Sequence, residues 1–165
     1  MKIIIGILLC IPFLFFSGAR IYKNINYGIE CDGHLKRAAD TNTVNLAKQE
    51  MNIALKYIES HGMKVGYTSV LYNTPSEDVG FWYQNLSSSL KELNEVTDNS
   101  SQLEKSNILM KLRETLLDSG EKGHSITQPT GISIFPNNFA YMIWGWLSTI
   151  FMLVGIVFVM VGVDE

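Results

Sequence analysis

Cysteine is scarce in this chain, with only Cys10 and Cys31 among 165 residues. Cys10 lies inside an apolar run and Cys31 outside it, so the two are poorly placed to pair and no disulfide framework is expected. In an oxidising compartment a single Cys31 would be a free thiol or an intermolecular bridge. An excess of charge of one sign is also lacking: 13 Lys and Arg against 16 Asp and Glu leave a formal net charge of −3. No basic stripe is present, which excludes nucleic acid as a partner. The signatures of common catalysts are missing too. There is no phosphate-cradling glycine loop, no His-Glu-x-x-His pair and no nucleophile elbow. Neither an enzyme nor a bound cofactor is therefore expected, and no motif assigns the chain to a family.

What is present is apolar sequence at both ends. Ile3 to Ala19 is an uncharged run after Lys2; as a helix it would span roughly 25 Å, short for a hydrocarbon core of about 30 Å. Residues 1–19 fit either a secretory signal, with Ser17-Gly18-Ala19 as a cleavage site, or an uncleaved anchor. Residues 139–163 carry no charge and begin among Phe139, Tyr141, Trp144 and Trp146, an interfacial aromatic pattern. This run reads as a transmembrane helix, followed by a two-residue tail, 164–165. Gly145, Ser148, Gly155 and Gly162 recur on one of its faces, with Met152 and Val159 between them. Small residues so spaced let another helix approach closely, so they are read as a packing face for a second copy or a membrane-protein partner. Gly6, Cys10, Phe13 and Ser17 form a weaker counterpart in the first run. The lipid bilayer is thus an expected partner. Arg20, Lys23, Lys36 and Arg37 after the first run argue for a cytoplasmic middle, but the signal-like start favours an extracytoplasmic one, and that side is preferred.

Residues 20–138 read as a helical domain. A long helix is expected over 32–61, with Asp32 as its N-cap and an apolar sector that includes Leu46, Ala47, Met51, Ile53, Ala54 and Ile58. Thr41-Asn42-Thr43 are poor helix formers within it. A capping box at Thr74-Pro75-Ser76-Glu77 opens a second helix over 75–97. Another, Ser101 to Glu104, opens a third over 102–118, with Leu103, Met110 and Leu117 on its seam and Ile108, Leu109, Leu112 and Leu116 widening it. The last two helices make an αα-hairpin. Lys64–Tyr72 and the chain from Ser125 to Phe135 are extended candidates that could pair. The fold class is therefore an all-α membrane protein. A small helical bundle, long helix plus αα-hairpin, lies between an N-terminal signal or anchor and a C-terminal transmembrane helix, with minor extended segments.

Two stretches carry chemical interest. Glu30-Cys31-Asp32-Gly33-His34 brings a thiol and an imidazole close in sequence. A zinc site would need further ligands, so Cys31 and His34 are a minority candidate for holding a metal or small molecule in a sensor module. Phe81-Trp82-Tyr83 point in three directions around a helix, so one ring is left over from the core to meet a partner, a membrane surface or a loop, and as a partner-binding patch the triplet is the best in the chain. The leading expectation is a membrane-anchored interaction or assembly subunit.

Overall fold

The computed structural model of the protein describes residues 1–120 and 123–163. The tail 164–165 lies outside the described residues. Two compact units emerge, one drawn from the two ends of the chain, Met1–Ile25 and the segment from Asn137 on, and one comprising Asn26–Pro136. The chain is mostly helical, and among the described residues two helices are long and apolar enough to cross a membrane.

The first unit is a pair of long helices, α1 (Lys2–Tyr27, of which the first 24 residues belong here) and α6 (Asn138–Val163). They run antiparallel, because Ile3 meets Gly162, Gly6 meets Gly155 and Phe16 meets Gly145. Glycine is required where the backbones touch. A β-carbon on Gly6 would come within 2.6 Å of Gly155 O, and one on Gly155 within 2.6 Å of Gly6 O. Ser148 is buried on the same face, while Leu8, Leu14, Phe15, Trp146, Leu153 and Val157 are among the many large apolar side chains turned outward.

The second unit packs its large apolar residues inward. It begins where α1 passes through a π-turn, Gly28–Asp32, into α2 (Gly33–Asp40). The helix does not stop at residue 19, nor does a new one start at Asp32. Asp32 has helical φ −57° and ψ −45° and makes no side-chain capping bond, so the expected N-cap is overturned; a cap needs non-helical backbone. The break falls instead at Thr41–Thr43, where Thr43 Oγ1 accepts from Leu46 N and opens α3 (Val44–Ser60). The local preference of those residues prevails because no packing overrides it. In α3 the buried face is Val44, Ala47, Glu50, Met51, Ala54, Leu55 and Ile58, whereas Leu46 and Ile53 are exposed, contrary to the expected sector.

Gly62, at φ +68°, ends this helix in the left-handed conformation that costs glycine nothing. A loop follows, pinned at its base by the Tyr67–Asp78 bridge and by Val79 N donating to Gly66 O. Thr74 Oγ1 donates to Glu77 Oε2 across a single 3₁₀ turn, Pro75–Glu77. The helix proper, α4 (Val79–Glu95), begins later than expected, capped by Asp78, which accepts from Phe81 N. Ser101 caps α5 (Gln102–Leu116) through Glu104 N. Lys111 Nζ donates to Glu92 at 2.7 Å and ties α5 to α4. The core of α5 is Leu112 and Leu116; Leu103 and Met110, expected on its seam, are exposed. The chain then leaves the helix as β1 (Leu117–Gly120), antiparallel to β2 (Gly123–Ile126). The extended pairing therefore forms here and not between Lys64–Tyr72 and the chain after Ser125.

Candidate functional site

The π-turn brings Tyr27, Cys31 and Asp32 together. Gly33 is needed for it, since a β-carbon there would meet Gly28 O at 2.9 Å. The widened turn carries Cys31 to full burial. Tyr27, one turn earlier, is buried too; its hydroxyl donates to Gln128 Oε1 at 2.6 Å, and its ring meets Tyr57 edge-on at 6.0 Å. Asp32 Oδ1 is buried without a hydrogen-bond partner among the described residues.

Electrostatics here oppose ionisation. Burial pushes the Cys31 thiol up to about 12, with Asp32 adding to the rise and the Tyr27 hydrogen bond only partly offsetting it. Burial also raises Asp32, against Gln128 and Lys36. A thiol held protonated at neutral pH is a poor nucleophile and a poor metal ligand, because both roles belong to the thiolate. Full burial likewise denies it the intermolecular bridge that an exposed odd cysteine could form.

His34 lies elsewhere in chemical terms. Its Nδ1 is 2.6 Å from Glu50 Oε2, and the Arg37 guanidinium donates to Glu50 Oε1. Burial works against the Glu50 charge, but the His34 and Arg37 hydrogen bonds outweigh it and hold the carboxyl below its usual range. This pin joins α2 to α3. Sequence reasoning missed Glu50, although a carboxylate beside Met51 on the buried face of α3 is the signal that could have found it. Cys31 and His34 thus face separate partners, Tyr27 and Glu50. Among the described residues no group of three or more His, Cys, Asp and Glu is placed to hold a metal ion.

The aromatic triplet divides as its spacing requires. Trp82 is buried, and its Nε1 donates to Thr127 O at 3.0 Å, fixing α4 against the chain after β2. Tyr83 is half-buried, with its hydroxyl donating to Glu59 Oε1 at 2.7 Å. Phe81 is 61% exposed. It helps line a groove of about 390 Å³ with Pro75, Asn85, Ile126 and Pro129.

In the first unit, Gly145, Ser148, Gly155 and Gly162 lie along α1. Phe16 covers Gly145, Cys10 Sγ approaches Gly155, and Ile3 covers Gly162. Phe16 also meets Trp144 edge-on at 5.5 Å. No family model, curated protein or solved structure matches this chain.

Proposed function

We propose that the chain is a membrane-anchored helical interaction subunit without catalytic activity. In this reading α1 and α6 cross the bilayer as an antiparallel pair, and the helical domain stands on the extracytoplasmic side. The observation that carries it is the outer surface of the two helices, which is apolar and uncovered along most of its length. A core helix of a soluble domain buries such side chains; a bilayer has no need to. The close approach of Gly6 and Gly155 supports retention of α1 as an anchor, because a cleaved signal would leave the small-residue face of α6 without its cover.

The small-residue face of α6 is covered by α1 and the buried face of α3 packs inside the domain, although Leu46 and Ile53 stay exposed. The surface assigned here to a partner, whether another copy or a different membrane protein, is Phe81 and its groove. Truncating an exposed ring removes contact area outside the fold, so Phe81→Ala is expected to leave the domain folded and to weaken association. Crosslinking in native membranes, wild type against Phe81→Ala, tests this. A neighbour captured equally by both proteins removes Phe81 from the interface, and no neighbour for either ends the assembly reading. Reaction of a cysteine placed at Leu103 with a membrane-impermeant thiol reagent, on intact and on opened cells, tests the side.

A further inference from the structure

Exposed apolar residues in the second unit are not scattered evenly. Val65, Tyr67, Leu71 and Tyr72 fall within eight residues of one loop, and all four are exposed. Lys64 is the only Lys, Arg, Asp or Glu between His61 and Glu77. Isolated exposed apolar residues need no explanation, whereas a group of them with aromatic hydroxyls and a flanking cation does.

The loop's base sits beside both points where the chain leaves the unit. A β-carbon on Gly66 would lie 3.5 Å from the Phe135 ring. Phe135 is three residues before Asn138, the first residue of α6, so chain length alone keeps it within about 11 Å of that helix. On the other side, Tyr27 meets Tyr57, and Tyr57 stacks on His61 at 4.0 Å, next to the residue where the loop begins. Tyr27 is itself the last residue of α1. Two tethers therefore hold this loop's base at the end of the domain from which both long helices depart.

The opposite end is distinguishable. α4 starts beside Gly66 and runs 17 residues, about 25 Å, to Glu95. Lys48 Nζ, near the start of α3, donates to Val96 O and closes that far end. Leu103 follows there, at the start of α5, 71% exposed against 73% for Leu71. Two leucines of equal exposure thus mark opposite ends of one bundle.

We propose that the loop Lys64–Tyr72 is a membrane-interface contact, with Val65, Leu71 and Tyr72 entering the headgroup region of the bilayer and Lys64 meeting lipid phosphates. Tyrosine, whose ring is apolar and whose hydroxyl is polar, suits that depth, and a lysine at its edge suits the phosphate layer. The inference rests on the membrane-anchored reading above. It makes the lipid surface, and not a protein, the occupant of this patch.

The test uses the full chain reconstituted in phosphatidylcholine vesicles that contain a phospholipid bearing a photoactivatable carbene precursor near the glycerol. Labelled residues are mapped by mass spectrometry. The expected result is lipid adducts on Val65–Tyr72 as well as on α6, with Leu103 at background. In the Leu71→Ser, Tyr72→Ser double variant, whose altered side chains are exposed, labelling of the loop should fall to the level of Leu103. Labelling of α6 with the loop no higher than Leu103, or a loop crosslinked to a second copy in place of lipid, overturns the proposal while leaving the anchor reading intact. Absence of adducts on α6 overturns the anchor reading itself, and this inference with it.

Discussion

The two units of the molecule place their large and small residues in opposite ways. In the α1–α6 pair, glycine and serine occupy the seam while leucine, phenylalanine and tryptophan face outward. In the helical domain Leu35, Met51, Ile58, Leu86, Leu93 and Leu116 are buried, and the charged residues are mostly outside. The domain follows the logic of water, where removing apolar area from solvent is the main gain. On the membrane-anchored reading proposed above, the helix pair follows another, in which apolar area has nothing to gain by hiding and close backbone approach does the joining. One chain thus holds two answers to the question of what the surroundings are.

Two pairs of substitutions test that contrast, each a variant with its control, the larger expected effect first. Leu35 is fully buried, so Leu35→Ala should cost the domain about 2–5 kcal/mol. Leu153→Ala, on the outer face of α6, should leave stability unchanged in detergent micelles. Chemical denaturation of each variant measures both, and a large loss for Leu153→Ala would show that α6 buries this face against something. Next comes Gly6→Leu, whose β-carbon has no room beside Gly155 O; overpacking of this kind costs about 1–3 kcal/mol. Gly18→Leu is its partner control, because nothing lies within 4 Å of a β-carbon there. Disulfide formation between Cys10 and a cysteine placed at Met152, whose carbonyl lies 3.9 Å from Cys10 Sγ, reports the pairing. It should be lost with Gly6→Leu and kept with Gly18→Leu.

The smallest effect concerns the polar pin of the domain. Glu50 has its folded-state pKa held below the unfolded value, so it stabilises the fold fully above about pH 4.3. That contribution is lost as pH falls through the folded-state value. Glu50→Gln should lower stability at neutral pH by about 1.5 kcal/mol, near the low end for hydrogen bonds to charged groups, because the Arg37 head remains hydrated. It should also flatten the acid limb of a plot of urea midpoint against pH. An unchanged acid limb would assign that limb to other carboxylates.

Much of the fold could be read from local chemistry. Ser101 with Glu104 marks the start of α5, and Thr41-Asn42-Thr43 hold the reason for the break before α3, although a single helix was expected across them. The near-heptad spacing of Val79, Trp82 or Tyr83, Leu86, Leu90 and Leu93 marks the inner face of α4, of which Val79, Trp82, Leu86 and Leu93 are buried and Tyr83 and Leu90 partly so. The π-turn was not legible. Its hydrogen bonds need one extra residue per turn and follow no pattern of apolar spacing, so Asp32 resembles a cap while lying inside a helix. The inner face of α5 was only partly legible for a related reason: Leu112, Leu116 and Leu117 are buried as expected, whereas Leu103 and Met110 are not. Leu103 to Leu117 offers apolar residues on several faces, and only tertiary contact selects Leu112 and Leu116. As for the candidate sites, the unequal fates of Phe81, Trp82 and Tyr83 follow from helix geometry, whereas the His34–Glu50 pairing depends on α2 folding back on α3 after the break.

Burial of Cys31 has a practical consequence. A thiol with no solvent access and a pKa near 12 reacts with an alkylating reagent only while its surroundings are open. Its rate of modification therefore reports how often the surroundings of that one residue open in the folded population, without any engineered probe. The chain carries its own clock for breathing motions, set where the first helix enters the domain.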